Sequence, residues 1–150
     1  MIEVGAKAPD FSLSDADGKV WTLADFAGGP LVLYFYPRDD TPGCTVEACS
    51  FRDRGPEFAA KGAKVVGISP DSGASHDKFR RKHSLSFILL SDPDKKTMQA
   101  YGAYGEKTMY GRKVMGVIRS TFLIDGSGTV IKVFPKVTPA GHADKVLESL

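Results

Sequence analysis

Residues 31–49 read LVLYFYPRDDTPGCTVEAC and contain both cysteines of the 150-residue chain. The first five residues form the most apolar run of the sequence, and their aromatic and β-branched side chains predict a buried central strand. A polar loop follows, and a helix is predicted from Pro42. This order of strand, loop and helix places Cys44 in the first helical turn.

A cysteine in the first turn of a helix lies beside unpaired backbone amides and the positive end of the helix dipole, which both favour a thiolate. Thr41 is the predicted N-cap residue. Lowering a thiol pKa from about 8.5 to about 6 requires about 3.4 kcal/mol, whereas a helix terminus supplies ~0.3–2 kcal/mol. We therefore expect a cation beside Cys44, together with donors that orient and polarise a substrate.

The second cysteine, Cys49, follows Cys44 by five residues. On a continuous helix this spacing separates the two Cα atoms by about 8.6 Å, and a disulfide rarely tolerates more than about 7 Å. Either the two cysteines never bond, or the helix unwinds when they do. The second alternative predicts two states, a helical dithiol and a locally unfolded disulfide.

These residues carry a resemblance to the peroxiredoxin family. Pro37, Thr41 and Cys44 match the P-x-x-x-T-x-x-C active-site motif, and residues 36–49 are similar to the branch called peroxiredoxin Q or bacterioferritin comigratory protein. The similarity continues through residues 65–69, 105–107, 109–111 and 119–125. It therefore covers nearly the whole chain.

The resemblance implies a role for each matching residue. Cys44 would be the peroxidatic cysteine, which attacks a peroxide and becomes a sulfenic acid. Cys49 would resolve that acid as an intramolecular disulfide. Thr41 would hydrogen-bond the peroxide, Pro37 would shield the thiolate from water, and Arg119 would supply the positive charge.

Other polar residues are assigned from their spacing. Glu47 lies three residues after Cys44 on the predicted helix, where it can steady a basic partner or accept a proton. Residues 38–40 are expected to form a solvated loop without a catalytic role. The three histidines, His76, His83 and His142, do not have the spacing of a zinc site, and the glycines do not match a phosphate-binding loop. No metal, nucleotide or flavin cofactor is expected.

The composition predicts one globular domain over residues 1–150. Apolar residues make up 42% and charged residues 25% of the chain, which excludes a disordered protein. The net charge of +2 gives no reason to expect nucleic-acid or membrane binding. With two cysteines and no signal-peptide pattern, we expect a soluble cytoplasmic protein. The resemblance adds the expectation of a monomer.

The pattern of the chain predicts an α/β fold. It indicates an N-terminal β-hairpin (11–13 and 20–23), strands at 31–36, 65–69 and 87–90, helices at 42–54, 72–83, 92–101 and 142–150, a surface loop at 102–116, and a hairpin at 120–134. Gly55-Pro56 is expected to break the first helix, with a short restart to residue 61. The resemblance implies a thioredoxin-like fold, in which helices flank a mixed central sheet.

Together these features predict a thiol peroxidase that reduces hydrogen peroxide and organic hydroperoxides with electrons from thioredoxin or a similar dithiol protein. One alternative is a thioredoxin-like disulfide exchanger, although such proteins normally carry Cys-x-x-Cys at the helix start. A second is a cysteine hydrolase with a histidine base. A third is a non-enzymatic fold with two inert thiols.

Overall fold

The computed structural model describes residues 1–150, with nine strands and five α-helices. In chain order the elements are β1 (Ser12–Ser14), β2 (Val20–Thr22), β3 (Leu31–Phe35), α1 (Pro42–Asp53), α2 (Gly55–Ala60), β4 (Lys64–Ser69), α3 (Gly73–His83), β5 (Ile88–Ser91), α4 (Lys96–Tyr101), β6 (Tyr104–Met109), β7 (Arg112–Val117), β8 (Ser120–Ile124), β9 (Val130–Phe134) and α5 (His142–Glu148). A short 3₁₀ helix, Leu23–Phe26, precedes β3.

Seven strands form one mixed sheet in the order β2-β1-β5-β4-β3-β8-β9. Strands β3, β4 and β5 are parallel, whereas β8 runs antiparallel to β3 and β9 antiparallel to β8. The predicted N-terminal hairpin is confirmed, because β1 and β2 pair in antiparallel register. The predicted mixed sheet flanked by helices is confirmed as well.

Strand β3 lies in the middle of this sheet and contributes to the cores on both of its faces. Leu31, Leu33 and Phe35 point to one face, where they pack with α4 and the segments around Phe11 and Phe26. Val32 and Tyr34 point to the other, where α1, α2, α3 and α5 cover the sheet. All five residues of β3 are buried, as expected for a strand covered on both faces. Helix α1, which carries both cysteines, therefore rests on the second of these two cores.

The predicted loop over residues 102–116 is wrong. This segment forms a separate two-stranded antiparallel sheet of β6 and β7, in which Gly105 faces Gly116. Tyr110 and Gly111 make its two-residue turn, and both have positive φ, at 51° and 76°. Positive φ at both central residues is the requirement of a type I′ hairpin turn.

The predicted break at Gly55-Pro56 is confirmed, since α1 ends at Asp53 and α2 begins at Gly55. The predicted start of the helix at Asp92 is wrong, because α4 begins only at Lys96. Asp92 precedes this helix and accepts hydrogen bonds from the backbone amides of Thr97 and Met98. None of the helices has both the length and the apolar character needed to cross a bilayer.

Candidate active site

Helix α1 carries Cys44 on its buried face. The residues that α1 buries are Cys44, Glu47, Ala48 and Phe51, at the i, i+3, i+4, i+7 spacing of one helical face. Phe51 stacks on Tyr34 of β3, with ring centroids 4.8 Å apart. This packing holds the first turn of α1, and with it Cys44, over the carboxyl end of the central strand.

Thr41 is the N-cap residue of α1 as predicted, but its side chain does not cap the helix. Its Oγ1 donates a hydrogen bond to the carbonyl oxygen of Arg38 at 3.0 Å. Thr45 donates the first helical hydrogen bond, to the carbonyl of Thr41 at 2.9 Å. The amides of Gly43 and Cys44 precede this bond, so they remain available to a ligand at the helix start.

Arg119 supplies the cation that the first-turn cysteine requires. Its Nη2 lies 3.3 Å from the Sγ of Cys44. The topology brings together these residues, which are far apart in sequence, because Ser120 pairs with Phe35 across the β8–β3 ladder. Arg119 thus lies beside the end of β3, where the loop to α1 begins.

Glu47 holds the other arm of the same guanidinium group. Arg119 Nη1 donates to Glu47 Oε1 at 2.7 Å. A fork of two parallel N–H groups is the geometry in which arginine fixes its orientation. Gly43 leaves room for this arrangement, because a Cβ there would lie 3.2 Å from Arg119 Nη2. The expectation that Glu47 steadies a basic partner is supported by this contact.

Burial shapes the electrostatics of the site. The side chain of Glu47 is fully buried, and burial raises its pKa to about 7 although Arg119 opposes the shift. Burial lowers the pKa of Arg119, but Glu47 and Cys44 outweigh this effect and the net shift is upward. The pKa of Tyr34 is raised by burial and then by Glu47 and Cys44. Arg119 therefore stays charged, and the Tyr34 hydroxyl stays protonated.

Two polar atoms of this region have no hydrogen-bond partner, Glu47 Oε2 and the Tyr34 hydroxyl. Both side chains are at most 1% exposed. An unpaired buried polar atom costs free energy. The site therefore keeps a free acceptor on Glu47 and a free donor on Tyr34, and the folded protein is less stable for it.

Cys49 is half-buried, and both cysteines are free thiols on one uninterrupted helix. The structure therefore has the helical dithiol arrangement, one of the two predicted states. Pro37 is half-buried in the loop that follows β3. The structure thus brings Cys44, Arg119 and Glu47 into direct contact, and it places Pro37, Thr41 and Cys49 on the adjoining loop and helix.

The expectation of a solvated loop is wrong for Asp39. Its side chain is 3% exposed and accepts hydrogen bonds from Tyr36, Ser75 and His76. Sequence reasoning missed this cluster because three consecutive polar residues favour a surface loop. The spacing of His76 and Phe79 indicates that a histidine lies on the inward face of α3, but not which residue it contacts.

Each histidine has partners other than Cys44. His76 contacts Asp39 and the carbonyl of Leu90, His83 contacts Asp40, and His142 contacts Thr121. A hydrolase would need a base bonded to its nucleophile, so the geometry does not favour that alternative. No group of three His, Cys, Asp or Glu side chains is arranged to hold a metal ion.

Comparisons with known proteins agree with this geometry. The AhpC/TSA family model matches residues 4–133. Peroxiredoxin Bcp of Bacillus subtilis is 46% identical over 149 residues, covering 99% of this chain and 95% of the relative. A structure of the Xanthomonas campestris bacterioferritin comigratory protein, described for its alkyl peroxide reduction activity, is 45% identical with a TM-score of 0.90. It covers 99% of this chain and 95% of that one. Peroxidoxin BcpB of Mycobacterium tuberculosis is 36% identical, with a TM-score of 0.88 over 99% of this chain and 96% of that one.

Proposed function

Because this chain belongs to the AhpC/TSA family, and within it to the peroxiredoxin Q/Bcp branch, we propose that its peroxidase activity runs through Cys44. The fold is thioredoxin-like, and the protein is a thiol-dependent peroxidase. The observation that carries the assignment of the nucleophile is the contact of Cys44 Sγ with Arg119 Nη2 at 3.3 Å. No basic side chain donates a hydrogen bond to the sulfur of Cys49.

In the first step, the thiolate of Cys44 attacks the terminal oxygen of a hydroperoxide. A sulfur–oxygen bond forms and the oxygen–oxygen bond breaks, which leaves a sulfenic acid on Cys44 and an oxyanion. The oxyanion takes up a proton from solvent and leaves as water or an alcohol. Arg119 stabilises the negative charge that moves from sulfur to the leaving oxygen. Thr41 has already donated its hydroxyl hydrogen to Arg38, so its oxygen serves the peroxide as an acceptor. Pro37 shields the thiolate from water.

In the second step, Cys49 attacks the sulfenic sulfur of Cys44. The sulfur–sulfur bond forms as the sulfur–oxygen bond breaks, and water leaves. On the continuous helix α1 the two residues are too far apart for this bond. Resolution therefore requires local unwinding of α1 between residues 44 and 49.

The remaining parts of the proposal concern partners and setting. The substrates are hydrogen peroxide and organic hydroperoxides, a choice supported by the alkyl peroxide reduction described for the Xanthomonas campestris protein. Thioredoxin, or a similar dithiol protein, reduces the disulfide in two-electron exchange. An intramolecular disulfide needs no second subunit, which is consistent with a monomer working in the cytoplasm.

Intact mass after one equivalent of hydrogen peroxide tests this function. The parent should lose about 2 Da rapidly, as two thiols become a disulfide, and Cys49→Ser should gain about 16 Da as a sulfenic acid. Cys44→Ser should not change. A parent protein that keeps its mass, or a Cys44→Ser variant that is oxidised as fast as the parent, would remove Cys44 from the first step.

A further inference from the structure

A second buried polar cluster lies next to the active-site helix, centred on Asp39. One carboxylate oxygen accepts a hydrogen bond from the Tyr36 hydroxyl at 2.5 Å. The other lies 2.8 Å from Ser75 Oγ and 2.7 Å from His76 Nδ1. Asp39 belongs to the loop 37–41, whereas Ser75 and His76 belong to α3. The cluster therefore joins the loop to a helix that contributes no residue to the Cys44–Arg119–Glu47 contacts.

Both ring nitrogens of His76 have a hydrogen-bond partner. Nε2 faces the carbonyl oxygen of Leu90 at 3.0 Å, and a carbonyl can only accept. Nδ1 faces the Asp39 carboxylate at 2.7 Å, so each ring nitrogen has an oxygen atom beside it. The side chains are 0% and 3% exposed. Removing one member of such a buried pair leaves the other without compensation.

The backbone of Asp39 is held by hydrogen bonds as well as its side chain. Its amide donates to the Asp71 carboxylate at 2.7 Å, and Ser69 Oγ donates to the same oxygen. Arg38 and Asp40 are exposed, and Asp40 bonds to α3 only at the surface, through Lys82 and His83. Asp39 is thus the only buried residue of the loop, two positions before Thr41, the N-cap residue of α1.

We propose that Asp39 and His76 are positioning residues that hold the loop 37–41 and the first turn of α1 in the peroxide-reactive arrangement, and so oppose the unwinding that lets Cys49 reach Cys44. The inference rests on the proposed roles of the two cysteines. Neither Asp39 nor His76 hydrogen-bonds Cys44 or Arg119, so both act through the position of the loop. Loosening the pair should slow the first step and slow the second step less, or accelerate it.

The test measures the two steps separately in Asp39→Asn and in His76→Gln. Oxidation of Cys44 is followed in the Cys49→Ser background, where no disulfide can form. Disulfide formation is followed in the background with both cysteines, after rapid oxidation. For each single variant we expect oxidation to slow by about tenfold or more, and the ratio of disulfide formation to oxidation to rise by a similar factor, because small displacements of reacting groups cost this much.

The double variant Asp39→Asn/His76→Gln should recover part of the lost oxidation rate, because two neutral amides can still hydrogen-bond each other. It also provides a folded protein if a single variant does not fold. Asp40→Asn is the matched control. This neighbouring carboxylate also bonds to α3, through Lys82 and His83, but at the surface, so both of its rates should stay within about twofold of the parent.

Two results would overturn the inference. One is a folded Asp39→Asn variant in which both rates stay at the parent values while the parent is oxidised normally at Cys44. The other concerns Val130→Ala, a core variant in β9 that destabilises the protein away from the loop. The inference fails if Asp39→Asn slows both steps equally, and Val130→Ala, with the same thermal midpoint of unfolding, slows them to the same extent. Failure of the parent to be oxidised at Cys44 would instead refute the proposed function, so the two failures are distinguishable.

Discussion

Arg119 lies between the thiolate of Cys44 and the carboxylate of Glu47, two negative groups that would otherwise repel each other. As a bare neighbour, Glu47 would disfavour a thiolate on the same helical face. With its two Nη atoms 2.7 Å from Glu47 and 3.3 Å from Cys44, Arg119 places a delocalised positive charge against both groups. A lysine has no planar fork and cannot reproduce this arrangement.

Replacing Arg119 should therefore slow the first step more than it changes the fold. We expect the rate constant of Cys44 oxidation by hydrogen peroxide to fall about 100-fold in Arg119→Ala, the size of losing one preorganised donor, and less in Arg119→Lys. Rapid-quench alkylation followed by mass analysis measures this rate. The double variant Arg119→Ala/Glu47→Gln removes the unpaired buried carboxylate and serves as the folding control. Rates within about twofold of the parent in the folded variants would contradict the role of Arg119.

Glu47 gives the folded protein a distinctive pH dependence. Burial raises its pKa from 4.5 to about 7, so between these pH values the folded protein holds a proton that the unfolded chain has released. The free energy of unfolding should fall as the pH rises through this window, by at most about 3 kcal/mol. Glu47→Gln should abolish the fall, which urea unfolding of the reduced protein at several pH values measures.

His142 provides the opposing contribution over a similar window. Burial, and then Lys145 and Arg119, lower its pKa from 6.5 to about 4, so here the unfolded chain binds the extra proton and stability rises with pH. His142→Gln should remove this rise while keeping an acceptor for Thr121. Comparing the pH profiles of Glu47→Gln and His142→Gln separates the contributions of the two residues to the free energy of unfolding. A parallel profile in the parent and in Glu47→Gln would show that Glu47 is ionised in the folded state throughout this range.

The chemistry-bearing residues differ in how far the sequence identifies them. Cys44 follows from its place at a predicted helix start, and Arg119 is assigned by the resemblance alone, because only the β3–β8 pairing brings it to Cys44. The Asp39–His76 contact could not be predicted. It depends on how the loop 37–41 and α3 meet, a tertiary feature that no periodicity within either segment records.

At the scale of elements, Gly and Pro indicate some boundaries correctly and others not. Gly55-Pro56 ends α1 as predicted, because proline cannot donate a helical hydrogen bond and clashes with the preceding turn. The same reasoning gave a surface loop at 102–116, where glycines instead belong to a hairpin. Its strands are partly exposed on both sides, so they lack the alternation of apolar and polar residues that identifies a half-buried strand.

Individual contacts explain how glycine is accommodated in that hairpin. Gly116 lies beneath the side chain of Lys107, whose Cε is 2.8 Å from the position of a Cβ. The Lys107 ammonium donates to the carbonyl of Val117 at 2.9 Å. Lys107 thus covers the backbone at Gly116, and a larger residue at that position would displace the lysine side chain. Sequence patterns do not record such a cross-strand packing reason for glycine.

At the scale of the whole molecule, the sheet separates a layer that must change during the proposed cycle from one that need not. Cys44, Ala48 and Phe51 of α1 pack in the core shared with α2, α3 and α5. The core on the opposite face contains no residue of α1. Unwinding α1 exposes Phe51 and its neighbours at a cost of about 2–3 kcal/mol for a side chain of that size, and this cost falls on one face only.

Amide hydrogen exchange should therefore show a change confined to one layer when the disulfide forms. We expect the amides of residues 42–53 to lose protection by about 100-fold or more on oxidation, whereas those of β3, β8 and α4 keep theirs, because local opening exchanges independently of the global fold. Cys49→Ser, treated with the same peroxide, is the control, since it forms a sulfenic acid without a disulfide and should retain a protected α1. If a parent protein whose mass shows the disulfide kept full protection over residues 42–53, the two cysteines would bond without unwinding the helix. The two-state description of this site would then be wrong.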